Sequence, residues 1–235
     1  MNKRAIILAG GKGTRLKPYT ISLPKPLVPI GETPILEIII RQLKKYGFER
    51  ITVTINHFAD IIQAYFGNGE KWGIKIDYSL ELKPLSTMGP LTLIEDLPDN
   101  FLVMNGDVLT NLNFDRFYTE HLIKKNSFTI GAYRRKDSVD YGVLEKNSNN
   151  ELVSFEEKPV KEYLVSMGVY MMNKRNIELI PYNTFFGFDN LMSKLISINC
   201  LPYILEFDGY WLDIGRPDDY EKASDMIVKN EFTFF

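Results

Sequence analysis

Cysteine is nearly missing from this chain: Cys200 is the only one in 235 residues. That excludes a disulfide framework and a thiolate metal cage, and leaves Cys200 as a small buried hydrophobe in a helix tail. Histidine is almost as scarce. His57 and His121 stand in separate segments without metal-ligand spacing, and both read as helix-surface or helix-opening residues. An excess of charge of one sign is lacking too. At a formal net charge of −2 there is no basic field for nucleic acid or an anionic membrane, so phosphate-binding charge must be local to a site. No apolar run approaches the ~20 residues of a membrane span, and the N-terminus has no signal-peptide core, which makes a cytoplasmic protein the expectation. No linker, low-complexity run or internal repeat divides the chain.

What is present is an ordinary globular balance, 45% hydrophobic and 25% charged, with strands and helices in alternation. Strands are expected over 3–8, 50–55, 75–80 and 101–105. Helices are expected over 34–46 and 58–66, with a short one over 89–97 and another over 114–125. This order predicts an α/β fold, a mostly parallel sheet covered on both faces, with ligands outside the carboxyl ends of the strands. After a strand over 128–133 the pattern changes. Segments 141–145 and 152–157 flank Asn147-Ser148-Asn149-Asn150, a polar turn cluster typical of a hairpin. A strand over 163–172, a helix over 188–198, a strand over 202–206 and a helix over 217–228 complete the reading. The expectation is a single domain over 1–235, with a nucleotide-binding lobe over about 1–112 and a smaller, antiparallel sugar-binding lobe over about 113–235. The tail at 231–235 puts three aromatics in five residues, and a contact between copies of the chain in a homo-oligomer is one expectation for it.

The first strand stops at Gly10-Gly11-Lys12-Gly13-Thr14-Arg15-Leu16. Glycines just past a strand let backbone N–H groups approach a ligand closely, and such groups bind anions. Arg15 and Lys25, the latter fixed between Pro24 and Pro26, add positive charge to the same segment. A strand, a glycine turn and two cations suit a polyphosphate. The segment is not a P-loop, which needs Gly, four residues, then Gly-Lys-Ser/Thr. It is not the dinucleotide fingerprint either, because Leu16 stands where the third glycine belongs.

The pattern that fits is G-G-x-G-T-R-L-x-P-x-T followed by P-K-P-L-x-P-I, here Gly10 to Thr20 and Pro24 to Ile30. On these residues the chain resembles the sugar-1-phosphate nucleotidyltransferases, over nearly its whole length. The resemblance implies a Rossmann-like, glycosyltransferase-A-like fold and a reaction of an NTP with a sugar 1-phosphate, giving an NDP-sugar and pyrophosphate. A phosphate monoester, with a second pKa near ~6, is largely dianionic at neutral pH, so the attack needs no general base. The protein must hold two polyanions together and neutralise the leaving pyrophosphate.

By the same resemblance Lys25 contacts the α-phosphate, Arg15 the departing β,γ-phosphates, and Leu8, Ala9, Gly10, Gly11, Gly13 and Thr14 line the nucleotide. Asp107, at the end of an apolar strand in Asn105-Gly106-Asp107, and Asp213, in Trp211-Leu212-Asp213-Ile214-Gly215, are the implied Mg²⁺ ligands. Mg²⁺ usually takes one or two protein carboxylates and completes its octahedron with water and phosphate oxygens. Tyr141 and Gly142, with Glu157 and Lys158 of an E-K-P motif, are implied to bind the sugar and its phosphate. Ser166 stands where asparagine is common. Pro84, Leu85 and Gly89 belong to a loop resembling L-G-T-A-G-P at the base pocket, in which Ser86 and Met88 are bulkier than the family residues and are expected to reshape the wall.

Glu81 falls where glutamine often reads a pyrimidine. A carboxylate only accepts, and it can take both the N1–H and the N2 amine of guanine, which favours GTP. The expected protein is therefore a guanylyltransferase for a mannose- or heptose-type sugar 1-phosphate in surface-glycan synthesis. Its rivals are a thymidylyl-, uridylyl- or cytidylyltransferase and a silent, nucleotide-sugar-binding regulatory homologue.

Overall fold

A computed structural model describes residues 3–228 of the chain; the aromatic tail at 231–235 lies outside them. Strand β1 (Lys3–Leu8) buries four consecutive residues, as a strand covered on both faces must. The two-residue strands β2 (Pro29–Ile30) and β3 (Thr33–Pro34) lead into α1 (Ile35–Lys45). Glu37 lies in the first turn of α1 and Lys44 and Lys45 in its last, each complementing the helix dipole. Then come β4 (Phe48–Ile55), α2 (Ala59–Phe66), β5 (Lys75–Leu80), β6 (Asn100–Asn105), β7 (Val108–Thr110) and α3 (Phe114–Lys124). The second half holds β8 (Phe128–Ser138), β9 (Gly142–Lys146), β10 (Leu152–Glu157), β11 (Val160–Asn173), α4 (Phe188–Ser197), β12 (Tyr203–Phe207), β13 (Trp211–Asp213) and α5 (Pro217–Val228).

One seven-stranded sheet runs through the molecule in the order β12-β8-β11-β6-β1-β4-β5. All its pairings are parallel except those of β11, which runs against both β6 and β8. Alternate residues of β1 feed two cores. Ala5 and Ile7 pack with the stripe of α1, and Ile6 packs with Met88, Leu91, Val103 and Leu195.

The antiparallel character expected of the second half is thus confined to β11 and to small pairs. Strands β8, β11 and β12 complete the first half's sheet, while β9 and β10 form a separate two-stranded antiparallel sheet. The segment after Gly89 is a 3₁₀ turn over Gly89–Leu93 rather than a longer helix. His121 corrects the surface reading given to both histidines. It is fully buried, its ring nitrogens against Thr129 Oγ1 at 2.8 Å and Asn100 Oδ1 at 3.1 Å, and burial lowers its pKa to about 4. Cys200 is only half-buried, just past α4.

Candidate active site

The carboxyl ends of β1 and β6 open side by side, since Leu8 registers with Asn105. Beyond β1 the chain turns at Gly13, which has φ +62°, a conformation that favours glycine. A Cβ there would lie 3.0 Å from Thr20 Cγ2 and 3.3 Å from Lys25 Cβ. The Thr20 hydroxyl also donates to the Gly13 carbonyl at 2.7 Å, so Thr20 and Lys25 brace the turn from below. Among the described residues no hydrogen bond engages the amides of Gly10, Gly11, Lys12 or Gly13. A cavity of about 190 Å³ is lined by Leu8, Ala9, Gly11, Gly13, Thr14 and Arg15 on this side. Lys25, Pro26, Gly106, Asp107 and Gly215 line the other side.

Two short strands bring the acids here. Strand β13 pairs antiparallel with β7, Asp213 opposite Val108, and the Ile214 amide donates to the Asp107 carbonyl at 2.9 Å. The two aspartates, far apart in the chain, are therefore neighbours. Lys25 Nζ is ion-paired with Asp107 Oδ2. Asp107 Oδ1 and Asp213 Oδ1 are both buried and have no hydrogen-bond partner. Burial, and next the charge of Asp107, push the Asp213 carboxyl up to about 6, although Lys25 and Arg15 pull the other way. Gly215 lies beside both groups: a Cβ there would stand in ordinary contact with them, 3.5 Å from Asp213 Oδ2 and 3.6 Å from Arg15 Nη2. Two orphaned buried carboxylate oxygens, hemmed by two cations, form a donor set suited to a hard divalent ion.

The base loop is placed differently. The Glu81 side chain is buried against Gly10, where a Cβ would come within 2.4 Å of its Oε1. Burial raises its pKa, against the pull of the Leu85 amide and the Thr54 hydroxyl. Pro84 is exposed, whereas Leu85 and Gly89 are buried against the chain at 184–186. Phe186 N donates to Leu85 O, and the amides of Met88 and Gly89 donate to Phe186 O. Met88 is fully buried in the second core. It therefore fills the interior under the loop, not the pocket wall, while Ser86 takes the left-handed φ of +63° that a glycine would hold without strain.

The four sugar-motif residues lie further out. Tyr141, Gly142, Glu157 and Lys158 are all exposed, at the neck of the β9–β10 pair. Glu157 stands opposite Gly142, and a Cβ on Gly142 would be 3.1 Å from Glu157 Oε2. Ser166 links this region to the centre. Its hydroxyl lies 3.1 Å from that of Tyr170 and accepts from the Gly168 amide at 3.3 Å. Gly168 has φ +71° and packs on Asn105, whose amide nitrogen would be 2.5 Å from a Cβ there.

Comparison with known proteins gives the family of the chain. The Nucleotidyl transferase family model matches residues 4–230. The chain belongs to that family. A UTP–glucose-1-phosphate uridylyltransferase of Synechocystis is 32% identical over 97% of this chain, which spans 64% of that relative's length. A D-glycero-alpha-D-manno-heptose 1-phosphate guanylyltransferase of Campylobacter jejuni is 31% identical over 92% of this chain and 96% of its own. Among solved structures, HddC from Yersinia pseudotuberculosis complexed with GMP-PN is 29% identical, with a TM-score of 0.74 over 96% of this chain and 99% of that one.

Around the candidate site Thr20, Pro26, Asn105, Gly106 and Gly215 stood inside the quoted motifs with no role of their own, and Gly168 and Tyr170 were given none either. Gly106 and Gly168 act by leaving room, which pattern alone does not reveal. Gly106, for instance, lies where a Cβ would meet Leu8 O at 3.0 Å. A larger groove of about 770 Å³ lies between α3 and the edge strand β12, and none of the predicted site residues lines it.

Proposed function

We propose that this chain is a Mg²⁺-dependent nucleotidyltransferase that makes an NDP-sugar from an NTP and a sugar 1-phosphate, with GTP and a mannose- or heptose-type sugar favoured. The observation that carries the reading is the pair of buried, unpartnered oxygens of Asp107 and Asp213 beside Lys25, Arg15 and the glycine turn. Among the described residues no third acidic, histidine or cysteine side chain completes a cage. That suits an ion whose remaining ligands are water and substrate phosphate. Bound there, Mg²⁺ would supply charge neutralisation for the phosphates.

The free amides of the glycine turn and Arg15 take the β,γ-phosphates, and Lys25 faces the α-phosphate. An oxygen of the sugar phosphate bonds to the α-phosphorus as the bond to the β-phosphate oxygen breaks, and pyrophosphate leaves with that electron pair. No side chain needs to remove a proton, because the attacking phosphate is already ionised. Guanine is favoured by the acceptor-only carboxylate of Glu81. It is also favoured by the relatives this chain covers almost end to end, which are named heptose 1-phosphate guanylyltransferases. The test is a matrix of four NTPs against several sugar 1-phosphates with Mg²⁺, scored for pyrophosphate. GTP with a manno-configured sugar should give the highest kcat/KM, and activity should vanish in EDTA. Nucleotide binding with no turnover for any pair would overturn the reading in favour of a regulatory binder.

A further inference from the structure

Strand β11 is irregular where it passes the site. Its Ser166 pairs with Ala132 of β8 and its Tyr170 with Ile130, so four steps on one strand face two on the other. Two extra residues are therefore looped out of β11, a bulge of the kind that re-aims side chains beside active sites. In a regular strand, side chains four positions apart start about 13 Å from each other. Here the hydroxyls of Ser166 and Tyr170 lie 3.1 Å apart. The bulge is fastened to both strands that carry the acids. Gly168, at φ +71°, packs on Asn105, two positions before Asp107. Trp211, two positions before Asp213, donates its indole N–H to the Met167 carbonyl at 2.9 Å. The Tyr170 ring is fixed as well. It stacks on Phe188 with centroids 4.7 Å apart and 20° between planes, and the Phe188 amide donates to Thr87 Oγ1 of the base loop at 2.8 Å.

Burial sets the direction of the hydrogen bond between the two hydroxyls. Tyr170 is 5% exposed, and among the described residues Ser166 Oγ is the sole hydrogen-bond partner of its hydroxyl. Burial also pushes the phenol up to about 12, so it keeps its proton at neutral pH. A buried O–H without an acceptor is costly, whereas the exposed Ser166 can send its own proton outward. Tyr170 therefore donates to Ser166, and the Gly168 amide donates to the same oxygen at 3.3 Å. Both lone pairs of Ser166 Oγ are then occupied. What remains to it is one O–H, directed away from Tyr170 and Gly168.

We propose that Tyr170 is a positioning residue, which holds Ser166 as a one-way donor toward an acceptor oxygen of the sugar 1-phosphate. Asparagine at position 166 would offer a donor and an acceptor together; this serine offers the donor alone. The hold on Ser166 is a property of the bulge, and the ligand it meets rests on the nucleotidyl-transfer reading above.

The test uses the full chain with GTP and mannose 1-phosphate. Tyr170→Phe keeps the ring and its stack on Phe188 and removes only the hydroxyl, while Ser166→Ala changes an exposed side chain. Each should raise the KM for mannose 1-phosphate ~10-fold, with kcat and the calorimetric Kd for GTP moving far less. The double variant should be no worse than either single one, because both changes break the same contact. A loss of packing would instead multiply with the loss of Ser166, and would reach the GTP Kd through Phe188 and Thr87. An unchanged KM in Tyr170→Phe, or single losses that multiply in the double variant, overturns the proposal. Hydrogen exchange gives a readout that needs no substrate. In the free chain the Gly168 amide should exchange ~10-fold faster in both variants, since a released Ser166 hydroxyl turns to other partners. Unchanged exchange in Tyr170→Phe means that the phenol does not hold Ser166, and overturns the proposal as well. If no NTP and sugar phosphate turn over, the nucleotidyl-transfer reading fails, while the exchange result still decides the hold on Ser166.

Discussion

Asp107 and Asp213 end short paired strands inside the molecule, while Glu157 and Lys158 sit at the neck of a ribbon that water reaches from both sides. The inner half of the candidate site is held by the sheet, by the close fit around Gly13 and Gly106, and by the Lys25–Asp107 ion pair. The outer half has only its own ladder. An electrostatic site buried at strand ends costs no reorganisation when substrate arrives, but it leaves like charges crowded without ligand. An exposed site avoids that crowding and must instead order itself on binding. Inner-half substitutions should therefore act on the chemical step and on ligand-free stability, and outer-half substitutions on sugar-phosphate affinity.

The largest effect belongs to the inner acids. Asp107→Ala and Asp213→Ala should each lower kcat at least ~10³-fold, since a lost metal ligand removes several kcal/mol of transition-state stabilisation. Pyrophosphate release at saturating Mg²⁺ and substrate measures it. A loss confined to KM would place these residues in binding alone and break the contrast.

Next is the crowding itself, read through pH. The folded-state pKa of Asp213, about 6, lies above the ordinary 3.8, so the folded protein binds the proton more tightly than the unfolded chain. Stability from this group is present below pH ~4 and lost as pH rises through about 6, an effect of about 3 kcal/mol. His121 runs the opposite way. Its pKa, lowered to about 4 from 6.5, gives stability that is present above pH ~6.5 and lost as pH falls to about 4, again about 3 kcal/mol. In EDTA the two slopes oppose each other between pH 4 and 6. Asp213→Asn should remove one of them, so the variant's Tm should rise with pH across this window and exceed that of wild type at pH 7.5. A variant no more stable than wild type at pH 7.5 in EDTA would show that Asp213 is not crowded.

On the outer half, Glu157→Gln keeps the shape and removes the charge. Hydrogen bonds to a charged group contribute about 1.5–3 kcal/mol, so KM for the sugar 1-phosphate should rise ~10–100-fold, with little change in nucleotide Kd. Steady-state kinetics paired with nucleotide calorimetry separates the two. An equal rise in both constants would mean that the halves are not independent.

How much of this could be read before folding differs between the same two regions. Consecutive apolar residues running up to a glycine located β1 and β6 well, because a strand buried on both faces has little else to be. The cations and acids of the centre were legible through their motifs. What brings Asp107 to Asp213 was not: β7 and β13 are three residues each, too short for a periodic signal, and they pair across a hundred positions. The reach of β8 and β11 beyond the sheet was missed as well. The polar, charged residues at 134–138 look like a loop, and only pairing with 160–164 makes them a strand. Met88 looked like a change to the pocket wall because sequence gives residue size without direction; the fold turns it inward. His121 looked exposed because its partners, Asn100 and Thr129, come from two strands on either side of it in the chain.

The smallest effect sits where the halves meet the base. Glu81 accepts no hydrogen bond from a charged group among the described residues, and burial raises its pKa, so the carboxylate gains by meeting donors. Guanine offers two, N1–H and the N2 amine, against the single N3–H of uracil or thymine. Glu81→Gln replaces one accepting oxygen with a donor of nearly the same size, so it opposes one guanine contact and leaves the other. Discrimination between GTP and UTP, measured as the ratio of their kcat/KM values, should fall ~10-fold, with kcat for the preferred sugar little changed. Because Gly10 leaves just enough space for this side chain, Gly10→Ala should disturb the same ratio by displacing Glu81. If both variants keep the wild-type ratio, the base is read elsewhere, and the carboxylate serves only to close the inner half against Gly10.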